Sequence, residues 1–245
     1  APTFECGEPG YALRYQACLE VDKHGGTGEV VAKEGMSGLG ISRPTGANWY
    51  AGGCIDVRLA GQSIGNWRPQ LVYESWESQE RVRATYDTPR GRVELTFTQL
   101  KDDDKLLVAG SVEAEPAAAL EFKLRCFPGG THGDMQRWAA TAKRRHEGPG
   151  KFMLRPSEPW ALCADGLMDR AVNEKWQSCA AAMFDPVEVM GAWLEVTAYP
   201  IYLTLNYPAE AKSFHLALWE FPKLTNEEAL AYLEQRLKEI GVLAE

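Results

Sequence analysis

The dominant pattern along this chain is an alternation of apolar and polar residues with a period of two. It is most regular between residues 11 and 21, where each odd-numbered residue is apolar. The same alternation recurs near residues 55–59, 82–86, 93–98, 106–112, 120–126, 193–198, 201–206 and 213–221. Successive side chains of a β-strand point to opposite faces, so each segment predicts a strand with one buried face. About ten such strands predict two packed sheets, since open twisted sheets rarely grow that wide.

Turn-forming residues separate several of these strands at hairpin spacing. Thr88-Pro89-Arg90-Gly91 carries a turn-type proline and glycine, and a charged stretch at 101–105 separates the next two segments. Glu115-Pro116 closes the strand after that. Proline and glycine supply the backbone angles that tight turns require. The stretch 80–127 therefore predicts an antiparallel meander of four strands.

One segment near the end of the chain has the period of a helix. Thr225 and Glu228 have the spacing of a capping box, in which each side chain satisfies a free amide of the first helical turn. Apolar residues follow at helical spacing, namely Leu230, Leu233, Leu237 and Ile240, and Gly241 suits the end of the helix. We expect an amphipathic helix over about 225–240. Two further segments, 134–147 and 167–183, fit a helix or a strand equally well.

These elements predict one mainly β domain over residues 1–245: a large antiparallel two-sheet β-sandwich with a C-terminal helix. A composition of 45% hydrophobic and 24% charged residues is typical of a globular domain. The size, the strand count and the late helix resemble the large sandwiches of the galactose-mutarotase type, whose architecture is a supersandwich. The resemblance is one of architecture only, because the catalytic His and Glu motifs of that family have no counterpart that can be matched residue by residue. Fold alone does not settle function.

Charge and cysteine spacing narrow the range of partners. The net charge is −8, which argues against nucleic acid because phosphate neutralisation needs a basic surface. No apolar run is long enough for a transmembrane helix. The six cysteines form no C-x-x-C pair, and Asp102-Asp103-Asp104 fits a solvated hairpin tip better than a calcium site. We therefore expect no metal and no cofactor, while the disulfide state and the oligomeric state stay open.

The first residues carry a weak signal about location. The sequence begins Ala1-Pro2-Thr3-Phe4 without an initiator methionine. Cleavage of a signal peptide follows small residues and leaves such an end, although a trimmed chain has it too. The expectation is a secreted or periplasmic protein, with the cytoplasm as the alternative.

Two Gly-rich polar segments carry aromatic rings and make the strongest ligand-binding candidates. Sugars present C–H faces to flat aromatic rings, and their hydroxyls need planar polar partners such as Asn and Arg. Residues 42–53 and 65–69 combine both features, and eight Trp is a high count for this length. The alternative is that the rings close off the core at the sheet ends, since Trp is usually largely buried. The predicted ligand-binding residues are Arg43, Asn48, Trp49, Tyr50, Trp67 and Arg68.

A histidine in a third Gly-rich loop is the best candidate for acid–base chemistry. His132 and Asp134 follow the strand that ends near Cys126, and loops on a rigid sheet often carry function. His215, by contrast, is predicted to be a core or half-buried strand residue bonded to a neighbour. The leading hypothesis is a protein that binds or processes a saccharide, with its status as an enzyme open. The alternative is a structural or assembly protein that uses a sandwich face for a partner chain, without catalysis.

Overall fold

The computed structural model describes residues 11–16, 19–21, 30–32, 38–42, 47–50, 52–114, 118–128, 136–173 and 178–237. It confirms a two-sheet antiparallel β-sandwich with a C-terminal helix. The strands in chain order are β1 (Ala12–Gln16), β2 (Leu19–Val21), β3 (Val30–Ala32), β4 (Gly38–Ser42), β5 (Ile55–Leu59), β6 (Gln62–Ser63), β7 (Gln70–Ser75), β8 (Gln79–Thr88), β9 (Gly91–Leu100), β10 (Leu106–Ala114), β11 (Leu120–Cys126), β12 (Arg137–Thr141), β13 (Arg145–Glu147), β14 (Gly150–Met153), β15 (Trp160–Asp165), β16 (Ala180–Phe184), β17 (Gly191–Val196), β18 (Ile201–Tyr207) and β19 (Ser213–Glu220). The helix α1 spans Asn226–Arg236.

The two large sheets face each other across one apolar core. The eight-stranded sheet has the order β1-β4-β5-β11-β18-β17-β14, with β6 paired to β5. The nine-stranded sheet has the order β13-β12-β15-β16-β19-β10-β9-β8-β7, and β2 pairs with β3 separately. The predicted alternation is visible in the burial of both sheets, because every second residue of β8, β9, β11 and β18 enters the core.

One core position requires glycine. A β-carbon on Gly110 in β10 would overlap with the ring of Phe214 in the adjacent strand β19. The absence of a side chain lets the ring lie against the backbone of its neighbour. Phe214 in turn contacts Phe122 of the opposite sheet, with ring centroids 5.5 Å apart.

The predicted four-stranded meander over 80–127 is wrong in its last strand. β8, β9 and β10 pair in succession, but β11 lies in the other sheet between β5 and β18. The reason is that β19 already occupies the second edge of β10. The fourth strand of the meander is β7, which pairs with β8.

The single strand predicted over 11–21 is two strands. β1 joins the eight-stranded sheet beside β4, whereas β2 pairs with β3. The alternation runs through both strands, so it carries no sign of the break.

The two ambiguous segments contain strands where the structure describes them. β12 and β13 lie in 134–147, and a 3₁₀ turn at Gly166–Met168 and β16 each overlap 167–183. Every residue of β12 and β16 is buried, so these strands show no alternation. Their inner faces meet the opposite sheet, and their outer faces form a second core with α1.

The C-terminal helix has the predicted cap and a shorter described length than 225–240. Thr225 accepts a hydrogen bond from the Glu228 amide, and the Glu228 carboxylate accepts one from the Thr225 amide. Ala229 and Leu233 of the helix are buried against the outer side of the nine-stranded sheet. Gly241, the predicted terminating residue, lies outside the described residues.

The acidic hairpin tip at 102–104 does more than face solvent. The Asp104 carboxylate accepts hydrogen bonds from Trp219 Nε1 at 3.1 Å and from the Tyr232 hydroxyl at 2.6 Å. The expectation of a simply solvated tip is therefore corrected: Asp104 ties the β9–β10 hairpin to β19 and α1.

Four of the cysteines lie in the described part of the chain, and all four are buried free thiols: Cys54, Cys126, Cys163 and Cys179. Burial raises the pKa of the Cys54 thiol to about 12. Cys6 and Cys18 lie outside the described residues. Within the described ranges, none of the helical segments has the length and hydropathy needed to cross a membrane.

Candidate functional site

Trp49 and Tyr50, two of the predicted ligand-binding residues, are fully buried. Trp49 Nε1 donates to the Ser178 carbonyl at 3.1 Å. The Tyr50 hydroxyl lies 2.8 Å from the Ala181 carbonyl and 2.9 Å from the Trp219 carbonyl. This corrects the expectation that these rings face a ligand. Their polar atoms are bonded to core backbone, which is the alternative role considered for such rings.

The remaining predicted site residues have mixed placements. Asn48 is half-buried in a left-handed backbone conformation with φ at 52°, Trp67 is half-buried against the core, and Arg68 is exposed. Their contact with a ligand stays a prediction. Arg43, His132 and Asp134 lie outside the described residues.

The described residues that border the two predicted loops are close neighbours. The Phe127 amide donates to the Trp49 carbonyl at 2.8 Å, and Tyr50 and Phe127 form an isolated parallel bridge. The guanidinium of Arg137 lies 5.5 Å from the Trp49 ring and 5.9 Å from the Phe127 ring. The borders of segments 43–46 and 129–135 therefore meet at one end of the sandwich.

A buried ion pair holds this end together. Arg137 Nη1 contacts Asp165 Oδ2, and both side chains are 1% exposed. Arg137 Nε also donates to the Tyr199 carbonyl at 2.8 Å, and Asp165 accepts from the Leu167 amide at 2.7 Å. Burial lowers the pKa of Arg137, while the charge and hydrogen bond of Asp165 oppose that change. The arrangement is structural, because each charge is taken up by a partner within the protein.

A different surface combines an aromatic ring with half-buried polar groups: the outer face of the eight-stranded sheet. The alternate residues of β11, β17 and β18 that do not enter the core are all half-buried. The register places Trp193 opposite Thr204, Gly191 opposite Asn206, and Glu195 opposite Tyr202. We call this surface the Trp193 face and define it by Lys123, Arg125, Trp193, Glu195, Tyr202, Thr204 and Asn206.

The indole of Trp193 packs against its own strand. A β-carbon on Gly191 would be 2.6 Å from Trp193 Cη2, so the ring rests on the backbone at Gly191. The Lys151 ammonium of β14 lies over the ring, 6.0 Å from its centroid. Met153, which lies directly opposite Trp193 in β14, is exposed beside the ring.

Tyr202 offers a different group from Trp193. The Lys123 ammonium lies 4.3 Å from the centroid of the Tyr202 ring and so covers one ring face. Burial raises the pKa of the Tyr202 hydroxyl, the charge of Arg125 opposes the rise, and Glu195 adds to it. Tyr202 therefore presents a neutral hydroxyl between a cation and an anion.

The sequence search for ligand contacts missed Trp193 and Tyr202 because it favoured loops. A signal was nevertheless present. In β17 the residues Ala192, Leu194 and Val196 fill the buried half of the alternation, which leaves Trp193 in the polar half with Glu195. An aromatic ring in the polar half of a strand indicates a ring on the outer face of a sheet.

His215 lies on the outer face of the other sheet, as half-buried as predicted and bonded to a neighbour. Glu188 Oε1 is 2.7 Å from His215 Nδ1, and Glu188 Oε2 accepts from the His215 amide at 3.0 Å. This double contact fixes the ring and leaves Nε2 as the nitrogen not used by the carboxylate.

Comparison with known proteins identifies the fold. No family profile and no curated protein sequence matches this chain. It is similar to the α-N-acetylgalactosaminidase NagBb from Bifidobacterium bifidum, solved with GalNAc, at a TM-score of 0.66 and 10% identity, over 98% of this chain and 39% of that one. It is also similar to a protein assigned as an aldose 1-epimerase from Klebsiella pneumoniae, at a TM-score of 0.51 and 9% identity, over 88% and 80%.

A third similar structure is the α-galactosidase AgaA from Geobacillus stearothermophilus, a variant solved with stachyose. Its TM-score is 0.50 at 11% identity, over 96% of this chain and 42% of that one. The chain thus spans less than half the length of the two glycosidases. At these identities the likeness shows the sandwich fold, which occurs in carbohydrate-active proteins.

Proposed function

We propose that the protein binds a saccharide on the Trp193 face. The observation that carries the proposal is the half-buried indole packed over Gly191 on the outer face of the sheet, with the Lys151 ammonium 6.0 Å from the ring centroid. The C–H groups on one side of a pyranose ring carry partial positive charge and are attracted to the negative face of an aromatic ring. A ring held against the backbone is already fixed in place for such stacking, which reduces the ordering cost of binding.

The residues around the indole supply the polar part of sugar recognition. Asn206 lies opposite Gly191 and Thr204 opposite Trp193, so an amide and a hydroxyl border the ring. Glu195 and Arg125 lie beyond them on either side of Tyr202. Planar amide, carboxylate and guanidinium groups match the donors and acceptors of vicinal hydroxyls. The similar glycosidase structures solved with GalNAc and stachyose support a saccharide as the ligand class at the level of fold.

The test is a glycan array followed by titration of the best glycan against matched variants. Trp193→Ala removes the platform, and Gly191→Ala keeps the indole but forces it off the backbone. We expect each to weaken binding at least about tenfold, equivalent to about 1.4 kcal/mol. Trp76→Ala is the matched control, because Trp76 is 46% exposed and follows β7, an edge strand of the other sheet. Equal affinity of the wild type and Trp193→Ala would remove the basis of the proposal.

Processing of a saccharide is the second candidate, and the His215–Glu188 pair favours it. A histidine fixed through Nδ1 by a carboxylate is suited to proton transfer at Nε2. The assay is product formation followed by NMR with the array-selected glycan. Turnover that disappears in His215→Gln and persists in His132→Ala assigns the chemistry to the His215–Glu188 pair. Turnover that persists in His215→Gln and disappears in His132→Ala assigns it to the loop predicted from the sequence.

A further inference from the structure

The outer strand of the nine-stranded sheet, β7, is exposed and apolar. Within the described ranges it has a hydrogen-bonded strand on one side only, β8. At its centre Leu71, Val72 and Tyr73 are 37%, 45% and 45% exposed, and Trp76 beyond its end is 46% exposed. An exposed apolar edge of this length is a template for pairing with another strand.

The other edges described in detail are protected in the usual ways. β13, at the opposite edge of the same sheet, has three residues, of which Arg145 and Glu147 are exposed. β14, an edge of the eight-stranded sheet, exposes Lys151. β7 contains neither lysine nor proline, and its register with β8 is continuous from Gln70 to Ser75. Short length and charge protect natural edges, and the one charged side chain of β7, Glu74, lies 3.3 Å from Arg83 near the end of the strand, so its apolar centre has no such protection.

We propose that β7 pairs with β7 of a second copy of this chain. The two strands run antiparallel about a two-fold axis at Val72 and join two nine-stranded sheets into one. Such an isologous contact uses up both edges at once, so it closes as a dimer instead of growing into a filament.

The sequence of β7 selects this register. Residues directly opposite one another in an antiparallel pair point to the same face of the sheet. The two-fold axis must therefore pass between the two copies of one residue, so that this residue lies opposite itself. An axis at Val72 places Leu71 opposite Tyr73 and Gln70 opposite Glu74, which matches apolar with apolar and an amide with a carboxylate. An axis at Tyr73 would set Val72 against Glu74.

The same register continues favourably beyond the strand. Positions 68 and 76 become opposite, which brings the exposed Arg68 level with Trp76 of the second copy. The Arg81 guanidinium already lies 5.1 Å from the centroid of the Trp76 ring, so the Arg68 guanidinium would add a cation–π contact on the opposite ring face. A contact one strand long is smaller than the roughly 1,200–2,000 Å² of stable complexes, so we expect the dimer to dissociate on dilution.

Sedimentation velocity of the full chain across a dilution series tests the proposal. We expect the mass to rise with concentration from 27.2 kDa towards twice that value. Val72→Lys places two like charges on the axis and should raise the dimer dissociation constant more than tenfold. Val187→Lys, at an 89% exposed valine outside β7, is the matched control and should leave it unchanged.

A cysteine variant tests the register independently of dimer strength. Directly opposite residues in an antiparallel pair have α-carbons about 4.5–5.5 Å apart, within disulfide range. Mild oxidation should therefore cross-link Val72→Cys into a dimer, and Leu71→Cys and the wild type should stay uncrosslinked. A wild type that is monomeric at every concentration, or a dimer that survives Val72→Lys, overturns the proposal. Because the Trp193 face lies on the other sheet, failure here leaves the saccharide proposal intact.

Discussion

Replacing Arg137 by methionine tests whether the buried ion pair holds the end of the sandwich at which the predicted loops begin. The variant leaves Asp165 1% exposed without its cation. Removing one partner of a buried pair costs about 3–5 kcal/mol, since the remaining charge is neither solvated nor paired. The lost hydrogen bond to the Tyr199 carbonyl adds about 1 kcal/mol. The sum is a large part of the stability of an ordinary domain, about 5–15 kcal/mol.

Urea unfolding followed by tryptophan fluorescence measures this loss. Asp165→Asn in the Arg137→Met background removes the stranded charge, and the Asn oxygen can still accept from the Leu167 amide. We expect this second change to restore most of the stability, because neutralising both partners of a buried pair is often nearly neutral. The matched control is Arg92→Met, which breaks an exposed pair with Asp87 and should leave the midpoint unchanged. Equal midpoints for Arg137→Met and Arg92→Met would refute the reasoning.

Two further predictions concern stability. Burial raises the pKa of Glu158, but hydrogen bonds from Arg144, Thr141 and the Arg155 amide outweigh it and lower the pKa from its ordinary 4.5 to about 2. A lowered pKa stabilises the fold above pH 4.5, by about 3 kcal/mol at most, and the contribution is lost as pH falls to about 2. Unfolding midpoints measured across that window should fall less steeply for Glu158→Gln, and parallel pH profiles would contradict this. Gly110→Ala forces a methyl group into the Phe214 ring and should lower the free energy of unfolding in urea by about 1–3 kcal/mol. An unchanged midpoint would contradict this, because it would show that the core rearranges to accommodate the methyl group.

The sequence predicted the fold where each strand has one buried and one open face. Alternation identified β8, β9 and β18, and the capping box at Thr225 located α1. Alternation could not identify β12 or β16. The outer face of these strands packs in the core that contains α1, and their inner face packs against the opposite sheet. Such strands are apolar throughout, and their period is lost.

The sheet to which each strand belongs could not be predicted from the local sequence pattern either. β11 has the same alternation as β10, and only the competition of β19 for the edge of β10 sends it to the other sheet. Strand pairing is decided by contacts between segments distant in the chain.

The candidate site was harder to predict because ring exposure depends on tertiary packing. Trp49 follows Asn48 in a glycine-rich segment, whereas Trp193 lies between Ala192 and Leu194 in a strand-like segment. One is bonded into the core through Ser178, and the other rests on Gly191 at the surface. The spacing of Gly191 and Trp193, two apart on one strand face, was the local clue that the ring packs over the glycine.

The most direct test of the account is a nitrogen-15 NMR titration of the indole N–H signals with the glycan selected on the array. The signal of Trp193, assigned by its absence in Trp193→Ala, should shift progressively with added glycan, while that of Trp76 stays in place. A shift at the signal of Trp67 or Trp76 with none at Trp193 would contradict a saccharide site on the outer face of the eight-stranded sheet.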